Sequence, residues 1–411
     1  MFINFLKKIF KKEKKLGVFK PSSRFSIKNT DISRNALKVV NRLSDSGFDV
    51  YFVGGCVRDL LLNLQPKDFD VATNALPEQV NKLFRNSRLI GRRFRLVHVY
   101  FSREIIEVAT FRGKTQRHHA DTGMVLRDNI YGTLEEDAYR RDFTINALYY
   151  DAKKKIFIDY VGGLKDLENK VIRVLGDPVK RYHEDPVRML RALRLAAKLN
   201  FTLDAEAIKP IASLAGLLQN VPPTRLFDET LKWFLGGKSF STFTLLRQYG
   251  LFSVLFPQTE AILINDSQHK TALAFINQGF INSDKRIAEQ KTLNPAFILA
   301  VLLWGPLQRK VAIYQQKGQK LFAALHHAST EVTRNQVKHI VIPHYLLYII
   351  KEIWLFQFRF LLCNPNKIKL ILEHKRFKIA YDFLLLRAEI DNELQELVVR
   401  WSKLYNESMV N

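Results

Sequence analysis

The sequence predicts an α+β protein in which a small mixed β-sheet domain is followed by an elongated all-helical region. Between residues 30 and 175, short segments rich in Val, Ile and Phe alternate with short helical segments. Beyond Pro178 the apolar residues recur mainly at helical spacing, and strong strand alternation is absent. Strands followed by a run of helices are typical of the α+β class. We therefore divide the chain into a basic N-terminal tail (1–29), a sheet domain (30–175), a first helical part (176–260) and a second helical part (261–411).

Glycine and proline set the first elements of the sheet domain. An apolar stripe predicts a helix that starts near Ile32 and ends before Gly47, which suits a helix C-cap. The run 48–53 predicts a buried strand, and Gly54-Gly55 leads from it into a short helix. After a break at Pro66, a second strand is predicted over 68–73.

The other elements of this domain follow from apolar periodicity and from β-branched residues. We expect helices over 77–85 and 136–149, strands over 88–101 and 104–112, a polar loop over 114–127, and a short strand pair over 156–161 and 171–175.

Composition excludes several classes of protein. Apolar residues make up 47% of the 411 residues, which excludes a collagen-like or wholly disordered chain. The two cysteines, Cys56 and Cys363, lie too far apart in sequence to indicate a zinc knuckle or a disulfide framework. Their scarcity fits a reducing compartment, so we expect a cytoplasmic protein. No segment supplies the ~20 uninterrupted apolar residues of a transmembrane helix.

The charge balance predicts a polyanionic partner. Lys and Arg number 64 against 40 Asp and Glu, which gives a formal net charge of +24. Nucleic acid is the first candidate and an anionic membrane surface the second. The lysine-rich segment 1–29 could form a basic amphipathic helix for a membrane surface or RNA, although a disordered charged tail is the simpler interpretation.

The pattern Asp68-Phe69-Asp70 predicts a pair of carboxylates on one face of a strand, because residues i and i+2 point the same way. Two neighbouring carboxylates repel each other unless a cation lies between them, and Mg²⁺ prefers oxygen ligands of this kind. Alone, such a pair is more often a solvated turn. Here it opens an apolar strand, which favours a metal site.

The pattern GGCVRD at 54–59 predicts a phosphate site. Two glycines between a strand and a helix leave backbone N–H groups available to an anion, and Arg58 adds positive charge. The structural alternative is a tight turn that simply requires glycine. The carboxylate pair about ten residues further on favours the phosphate site.

The combination of GGCVRDLL at 54–61 with the following D-x-D resembles the polymerase-beta-type nucleotidyltransferase superfamily. The resemblance is to the branch that holds bacterial poly(A) polymerases and tRNA CCA-adding enzymes. RRDFTINAL at 140–148 is similar to the second signature of this branch, and EDPVRMLRALRLAAKL at 184–199 is similar to its base-reading motif. The segments 89–101 and 104–113 are more similar to the poly(A) polymerases.

The resemblance implies a nucleotidyltransferase head followed by helical neck, body and leg regions. Residues 176–260 would carry base-reading and RNA-binding motifs, and residues 261–411 would form a helical C-terminal RNA-binding region. It implies transfer of AMP from ATP to RNA 3′ ends by a two-metal mechanism with two Mg²⁺ ions. Asp68 and Asp70 would bind both metal ions, and Glu135 would be the third catalytic carboxylate, with Glu107 as the alternative. The nucleotide would contact Gly54, Gly55, Arg58, Arg141, Asp142, Asn146, Asp185, Arg188, Arg191 and Arg194.

The residues themselves leave structural alternatives open for the two later motifs. Asp142 and Asn146 are expected at i and i+4 on one helix face, where ordinary surface pairing would also explain them. Asp185 and Pro186 read as a helix N-cap and the first helical position. The three arginines that follow could be a solvated basic helix face.

Two other functions stay open at this stage. A CCA-adding enzyme shares the chemistry but adds CTP and then ATP to tRNA. A basic RNA-binding protein without catalysis is the second alternative, and the intact Asp68 and Asp70 pair argues against it. RNA-decay proteins are expected as further partners.

Overall fold

The computed structural model describes residues 18–19, 26–91, 95–102, 104–113, 130–265, 269–362 and 365–410. The predicted loop over 114–127, nearly all of the N-terminal tail and Cys363 lie outside the described residues. The chain forms two compact units, Met1–Arg181 with Thr202–Ile208 and Tyr182–Phe201 with Lys209–Asn411. We call them the sheet unit and the helical unit. The fourfold division made from the sequence stays a prediction.

The sheet unit is built on a mixed sheet whose strand order is β1-β8-β7-β2-β3-β6-β5-β4. Its neighbouring strands are antiparallel except β3 and β6, which run parallel. The strands are β1 Val18–Phe19, β2 Val50–Val53, β3 Asp70–Thr73, β4 Ser87–Ile90, β5 Leu96–Phe101, β6 Glu104–Thr110, β7 Leu148–Asp151 and β8 Ile156–Asp159. The α+β class with a mixed sheet is therefore confirmed.

Short helices connect these strands. They are α1 Arg34–Asp45, α2 Gly55–Leu61, α3 Pro77–Leu83, α4 Leu134–Arg140, α5 Gly163–Glu168 and, after the return of the chain, α8 Ala205–Ile208. The helix α4 packs Ala138 against the sheet in a cluster with Val53, Ala72 and Tyr149. This cluster lies on the face of β3 that also carries Asp70, because Asp70 and Ala72 are two residues apart on one strand.

Two elements of the sheet unit differ from the prediction. The expected helix over 136–149 is wrong beyond Arg140, since a 3₁₀ turn at Thr144–Asn146 leads into β7. The physical reason is burial, because Leu148 and Tyr149 are fully enclosed in the sheet and pair with β2 and β8. The expected single strand over 88–101 is instead the antiparallel pair β4 and β5.

The predicted pairing of 156–161 with 171–175 is also wrong. The strand β8 pairs with β7 and ends at Asp159, whose carboxylate accepts N–H groups from residues 161–164 at the start of α5. A separate strand β9 (Val171–Ile172) pairs in parallel with β10 (Thr202–Leu203). Arg173 joins the same two segments, since its Nη1 donates to Asp204 at 2.6 Å.

The helical unit is all-helical apart from connecting turns, as the sequence predicts. The helix α6 spans Pro178–Glu184 at the division between the units. The later helices are α7 Val187–Leu199, α9 Ile211–Leu214, α10 Pro223–Phe234, α11 Ser239–Gln248, α12 Leu251–Leu255, α13 Pro257–Asn265, α14 His269–Ala288, α15 Pro295–Leu302, α16 Trp304–Gln316, α17 Leu321–Val337, α18 His344–Leu361, α19 Ile368–Leu372, α20 Phe377–Ala388 and α21 Gln395–Val410.

Aromatic side chains dominate the core of the helical unit. Trp233 stacks near Phe243 at 6.4 Å and near Phe280 at 5.3 Å between ring centroids. Within the described ranges, no single helix is both long and apolar enough to cross a membrane. The consecutive helices α15 and α16 together have the length and composition of a membrane span, but they are bent by 51° where they meet.

Candidate active site

Three polar side chains form a row across neighbouring strands of the sheet unit. Asp70 on β3 lies opposite Glu107 on β6 in parallel register, and Glu107 lies opposite His98 on β5. Residues in register on adjacent strands point to the same face of a sheet. The His98 Nε2 atom stands 3.7 Å from Glu107 Oε2. The sheet therefore brings together two carboxylates that are far apart in sequence.

The environment of Asp70 disfavours its negative charge. Burial raises its pKa most, the Glu107 carboxylate raises it further, Arg141 partly opposes both, and Asp68 adds a smaller increase. The result is a pKa of about 6. Crowded carboxylates with a raised pKa are typical of a site that a cation completes.

Asp68 lies immediately before β3, so the predicted strand begins two residues too early. Its side chain is exposed, whereas Phe69 is buried and packs on Phe52 with 5.8 Å between ring centroids. Phe69 therefore points into the core and fixes the chain between the two aspartates.

The donor set suits magnesium, because Asp68, Asp70 and Glu107 offer carboxylate oxygens only. Within the described residues, no three His, Cys, Asp or Glu side chains form a ready-made metal cage. Proteins usually bind Mg²⁺ through one or two carboxylates together with substrate phosphates. The residues present therefore fit this ion when a nucleotide supplies the other oxygens.

The glycine turn between β2 and α2 is tightly approached by an arginine. Gly54 has φ +78, and a Cβ atom built on it would lie 3.3 Å from Arg141 Nη1. A side chain at this position would be strained by the left-handed backbone and would crowd the guanidinium group. The turn thus requires glycine both for its conformation and for the proximity of Arg141.

Arg58 is buried and connects the glycine turn to the second signature. Its Nη2 atom lies 2.6 Å from Asp59 Oδ1, and its Nη1 donates to Asn146 Oδ1 at 2.6 Å. Asn146 in turn donates to Asp142 Oδ1 at 3.1 Å. The predicted Asp142 and Asn146 contact is present, but the turn after α4 creates it, rather than one helix face.

Arg141 belongs to a second network that the sequence did not reveal. Its Nη2 lies 3.0 Å from Asp137 Oδ2, and its Nε donates to the Tyr149 hydroxyl at 3.1 Å. The Tyr149 hydroxyl donates to Asp137 Oδ2 at 2.6 Å. Burial alone would lower the pKa of Arg141, but Tyr149 and Asp137 raise it above its ordinary value, so the guanidinium stays charged. The four-residue spacing of Asp137 and Arg141 was the available signal.

Arg181 fixes the backbone of the same segment. Its Nη2 donates to the carbonyl oxygens of Arg140 at 2.9 Å and Arg141 at 2.6 Å. No sequence pattern indicated this residue, because every residue has a backbone carbonyl and the residue types therefore do not show which carbonyl accepts a hydrogen bond.

The two candidates for a third carboxylate occupy different places. Glu107 is in register with Asp70, whereas Glu135 is exposed on α4. Burial raises the pKa of Tyr160 most, and the negative charge of the Glu135 carboxylate raises it further. The charges that act on Asp70 are those of Glu107, Arg141 and Asp68.

The base-reading candidates lie in the helical unit, on and before α7. Pro186, rather than Asp185, occupies the N-cap position, and no side chain caps this helix, so the N-cap prediction is wrong. Asp185 Oδ2 instead accepts a hydrogen bond from Arg225 on α10 at 2.7 Å, which draws its carboxylate away from the helix end.

The three arginines of α7 lie on its less buried side. Met189, Leu193 and Ala196 are buried on the other side. Arg188 Nη1 stands 3.4 Å from Glu184 Oε2, and Arg194 Nε stands 3.9 Å from the buried Glu229. Arg191, like Arg188 and Arg194, is half-buried. These side chains are therefore partly held by carboxylates rather than freely solvated.

Comparison with protein families gives matches over most of the chain. The poly A polymerase head domain matches residues 50–173. The probable RNA and SrmB-binding site of polymerase A matches residues 200–263, and the polymerase A arginine-rich C-terminus matches residues 317–410.

Relatives and solved structures agree with these matches. Poly(A) polymerase I of Salmonella typhi is 46% identical over 394 residues, which cover 93% of this chain and 84% of that protein. A CCA-adding enzyme of Lactobacillus helveticus is 40% identical over 215 residues, or 52% of this chain and 53% of that one. The crystal structure of the Bacillus stearothermophilus CCA-adding enzyme in complex with CTP shares the fold, with a TM-score of 0.62 at 24% identity over 90% of this chain and 82% of that one. Because the chain is 46% identical to a poly(A) polymerase I over 93% of its own length, it belongs to the poly(A) polymerase I family of polynucleotide adenylyltransferases.

Proposed function

We propose that the protein extends RNA 3′ ends without a template, transferring AMP from ATP and releasing pyrophosphate. The observation that carries the proposal is the register of Asp70 with Glu107 beside the Gly54 turn, in a chain 46% identical to a poly(A) polymerase I. Crowded carboxylates that attract a cation, next to a glycine turn approached by the Arg141 guanidinium, are parts that nucleotidyl transfer uses.

Asp68, Asp70 and Glu107 are the proposed ligands of two Mg²⁺ ions. Their register and mutual charge repulsion favour Glu107 over Glu135 as the third carboxylate. When bound, the ions lower the pKa of an attacking hydroxyl and balance charge on a leaving pyrophosphate. The role of the protein is to hold these oxygens on rigid strands, so that little reorganisation accompanies the reaction.

The triphosphate is assigned to Gly54, Gly55 and the guanidinium groups of Arg58 and Arg141. The Nη1 atom of Arg141 faces Gly54, while its Nε and Nη2 are held by Tyr149 and Asp137. Donors fixed in this way before the ligand arrives favour the charged transition state.

Ribose and base are assigned to two further groups of residues. Asp142 and Asn146 offer a carboxylate and an amide for ribose hydroxyls, and Arg58 fixes their orientation through Asn146. Asp185, Arg188, Arg191 and Arg194 are proposed to recognise the base, since carboxylates and arginine forks can match a base edge at two points.

Nucleotide incorporation on defined RNAs tests the reaction. With each NTP supplied alone, we expect long tails from ATP on an unstructured RNA 3′ end and poor use of CTP. Arg188→Ala is expected to reduce the preference for ATP more than the affinity for phosphate. No incorporation of AMP by the unmodified chain under any of these conditions would contradict the proposal.

A CCA-adding activity is the second candidate, favoured by the 40% identity of about half of the chain to such an enzyme. A CCA-adding enzyme uses the same chemistry in its sheet unit. Its base specificity must change from cytosine to adenine after two additions, and the addition of nucleotides must then stop. Addition of only C, C and A to a truncated tRNA, without extension of unstructured RNA, would move the substrate assignment to this activity. Association with RNA-decay proteins and a cytoplasmic location stay predictions.

A further inference from the structure

A basic groove lies in the helical unit between the C-terminal end of α14 and the start of α20. Its volume is about 570 Å³, which is within the size range of small-ligand sites, about 300–1,000 Å³. Six cationic side chains line it, against three carboxylates. The cations are Lys285, Arg286, Lys291, Lys375, Arg376 and Lys378.

Three of these lysines are available for a ligand. Lys285, Lys375 and Lys378 are exposed, and none of them forms an ion pair with a carboxylate among the described residues. By contrast, Lys291 Nζ lies 2.7 Å from Glu289, and Arg376 Nε lies 3.3 Å from Glu352. The most accessible positive charge of the groove therefore lies on the three exposed lysines. Lys285 acts in part on Glu289 and Lys378 on Asp382, although neither pair is in contact.

The walls of the groove are preformed. Arg286 Nε donates to the carbonyl oxygen of Thr292 at 2.7 Å, which folds the turn after α14 back onto the helix. Asn294 caps α15 by accepting from Ala296 N at 3.0 Å. Glu389 accepts from the Asn282 amide at 3.2 Å, so this carboxylate is already occupied.

The floor of the groove is apolar and includes an aromatic ring. Leu293, Ile379, Leu385 and the ring of Phe297 line it, and all are half-buried. Phe297 is supported from below by Phe383, with 5.9 Å between ring centroids in an edge-on arrangement. An apolar floor with an aromatic ring and a rim of lysines matches a nucleotide, since bases stack on aromatic rings while phosphates attract cations.

We propose that this groove binds single-stranded RNA, with phosphates on Lys285, Lys375 and Lys378 and a base against Phe297. The groove lies outside residues 200–263, which match the RNA-binding family model, and its Lys375 and Lys378 lie within residues 317–410, which match the arginine-rich C-terminus. It is thus a contact for the RNA in addition to residues 200–263. The choice of RNA over other polyanions rests on the proposed function.

The test compares two triple variants of the full chain that remove the same charge. The groove variant is Lys285→Ala/Lys375→Ala/Lys378→Ala. The matched control is Lys317→Ala/Lys320→Ala/Lys403→Ala, whose lysines are also exposed in the helical unit but do not line the groove. The probe is a fluorescent 20-nucleotide oligo(A), and its Kd is measured by anisotropy from low to physiological salt.

We expect the groove variant to weaken oligo(A) binding at least tenfold at low salt, and the control to weaken it less than threefold. The slope of log Kd against log salt is expected to fall by about 2, because each lost phosphate contact on a single strand contributes about 0.7. The KM for ATP is expected to stay unchanged. Phe297→Leu, which keeps an apolar side chain, is expected to weaken binding about fivefold through lost stacking.

Equal weakening in the two triple variants would overturn the proposal, because the charge would then act without a specific site. Groove-dependent displacement of oligo(A) by millimolar ATP would show a free-nucleotide site instead. Groove-dependent binding of a poly-glutamate peptide, with RNA binding unchanged, would show a protein-docking surface. If the unmodified protein binds oligo(A) but adds no AMP, the proposed function fails while the groove is still judged by its own comparison.

Discussion

The two units of the molecule use positive charge in opposite ways. In the sheet unit, Arg58 is buried and Arg141 is half-buried, and each is held by a carboxylate, Asp59 or Asp137, at 2.6 and 3.0 Å. In the groove of the helical unit, Lys285, Lys375 and Lys378 extend into solvent without an ion pair to a described carboxylate. Guanidinium groups in fixed positions suit a ligand of one geometry, whereas exposed lysines on flexible stems suit a polyanion that slides.

The arginines of the sheet unit and the lysines of the groove should therefore respond differently to mutation. A buried arginine that has lost its carboxylate leaves an uncompensated charge, so mutations in the sheet unit should change both folding and turnover. Exposed lysines contribute little to folding, so mutations in the groove should change RNA affinity alone.

The largest effect is expected from the two aspartates. Asp68→Ala or Asp70→Ala should lower the rate of AMP incorporation at least about a hundredfold, as when one preorganised transition-state contact is removed. Single-turnover rates, with circular dichroism as the check on folding, measure this. The control is Asp45→Ala, which removes an exposed carboxylate of the same unit that pairs with Lys153. Turnover near that of the unmodified protein in either variant would refute the catalytic assignment.

Removal of Arg141, which is assigned to the triphosphate and held by Asp137, should destabilise the fold as well as weaken turnover. Arg141→Met leaves Asp137 without its ion pair, and we expect the free energy of unfolding to fall by about 3 kcal/mol. The matched control is Arg95→Met, whose partner Glu78 is exposed at a similar distance of 2.8 Å. It should cost less than about 1 kcal/mol. Urea denaturation of both variants gives the comparison, and equal losses would contradict it.

The glycine turn offers a sharper comparison. Gly54→Ala and Gly47→Ala both place a Cβ atom on a left-handed backbone, at φ +78 and +87. Only Gly54 has Arg141 nearby, since no heavy atom lies within 4 Å of the Cβ position at Gly47. Gly47→Ala should therefore lose about 1 kcal/mol of stability. Gly54→Ala should lose more, because its ψ of −131 lies outside the left-handed helical region and its Cβ atom would crowd Arg141. Only Gly54→Ala should also raise the KM for ATP, by about tenfold, which steady-state kinetics would measure.

The stability of the fold is also expected to depend on pH through Asp70. Burial and the Glu107 carboxylate raise its pKa to about 6, against about 4 in an unfolded chain. A raised carboxyl pKa stabilises the fold below about pH 4, and this contribution is lost as the pH rises through about 6. In the metal-free protein, the free energy of unfolding should thus fall over this range, and the fall should be absent in Asp70→Asn.

Magnesium should reverse this pH effect, because it binds the ionised carboxylates of the folded state. Addition of Mg²⁺ at pH 7 should therefore raise the midpoint of thermal unfolding in the unmodified protein more than in Asp70→Asn. An identical shift in both would mean that the ion binds elsewhere.

Local patterns account for the parts of the site that the sequence could predict. The spacing of Asp68 and Asp70 and the Gly54-Gly55 turn depend on neighbours in sequence, and the structure retains both. The register of Asp70 with Glu107 depends on parallel pairing of two distant strands, which periodicity does not determine. Tertiary burial also overrode helix propensity at Leu148–Asp151, where the sheet required another strand.

The crossing of the chain between its units has a consequence for modularity. The sheet unit is completed by Thr202–Ile208, which follow a helix of the other unit in sequence, and β10 and Asp204 there bind β9 and Arg173. A fragment that stops at Arg181 would therefore lack a strand partner and an ion-pair partner. The sheet unit cannot be exchanged between relatives by a single junction, and a functional chimera needs two cuts that keep residues 202–208 with the sheet unit to which they belong.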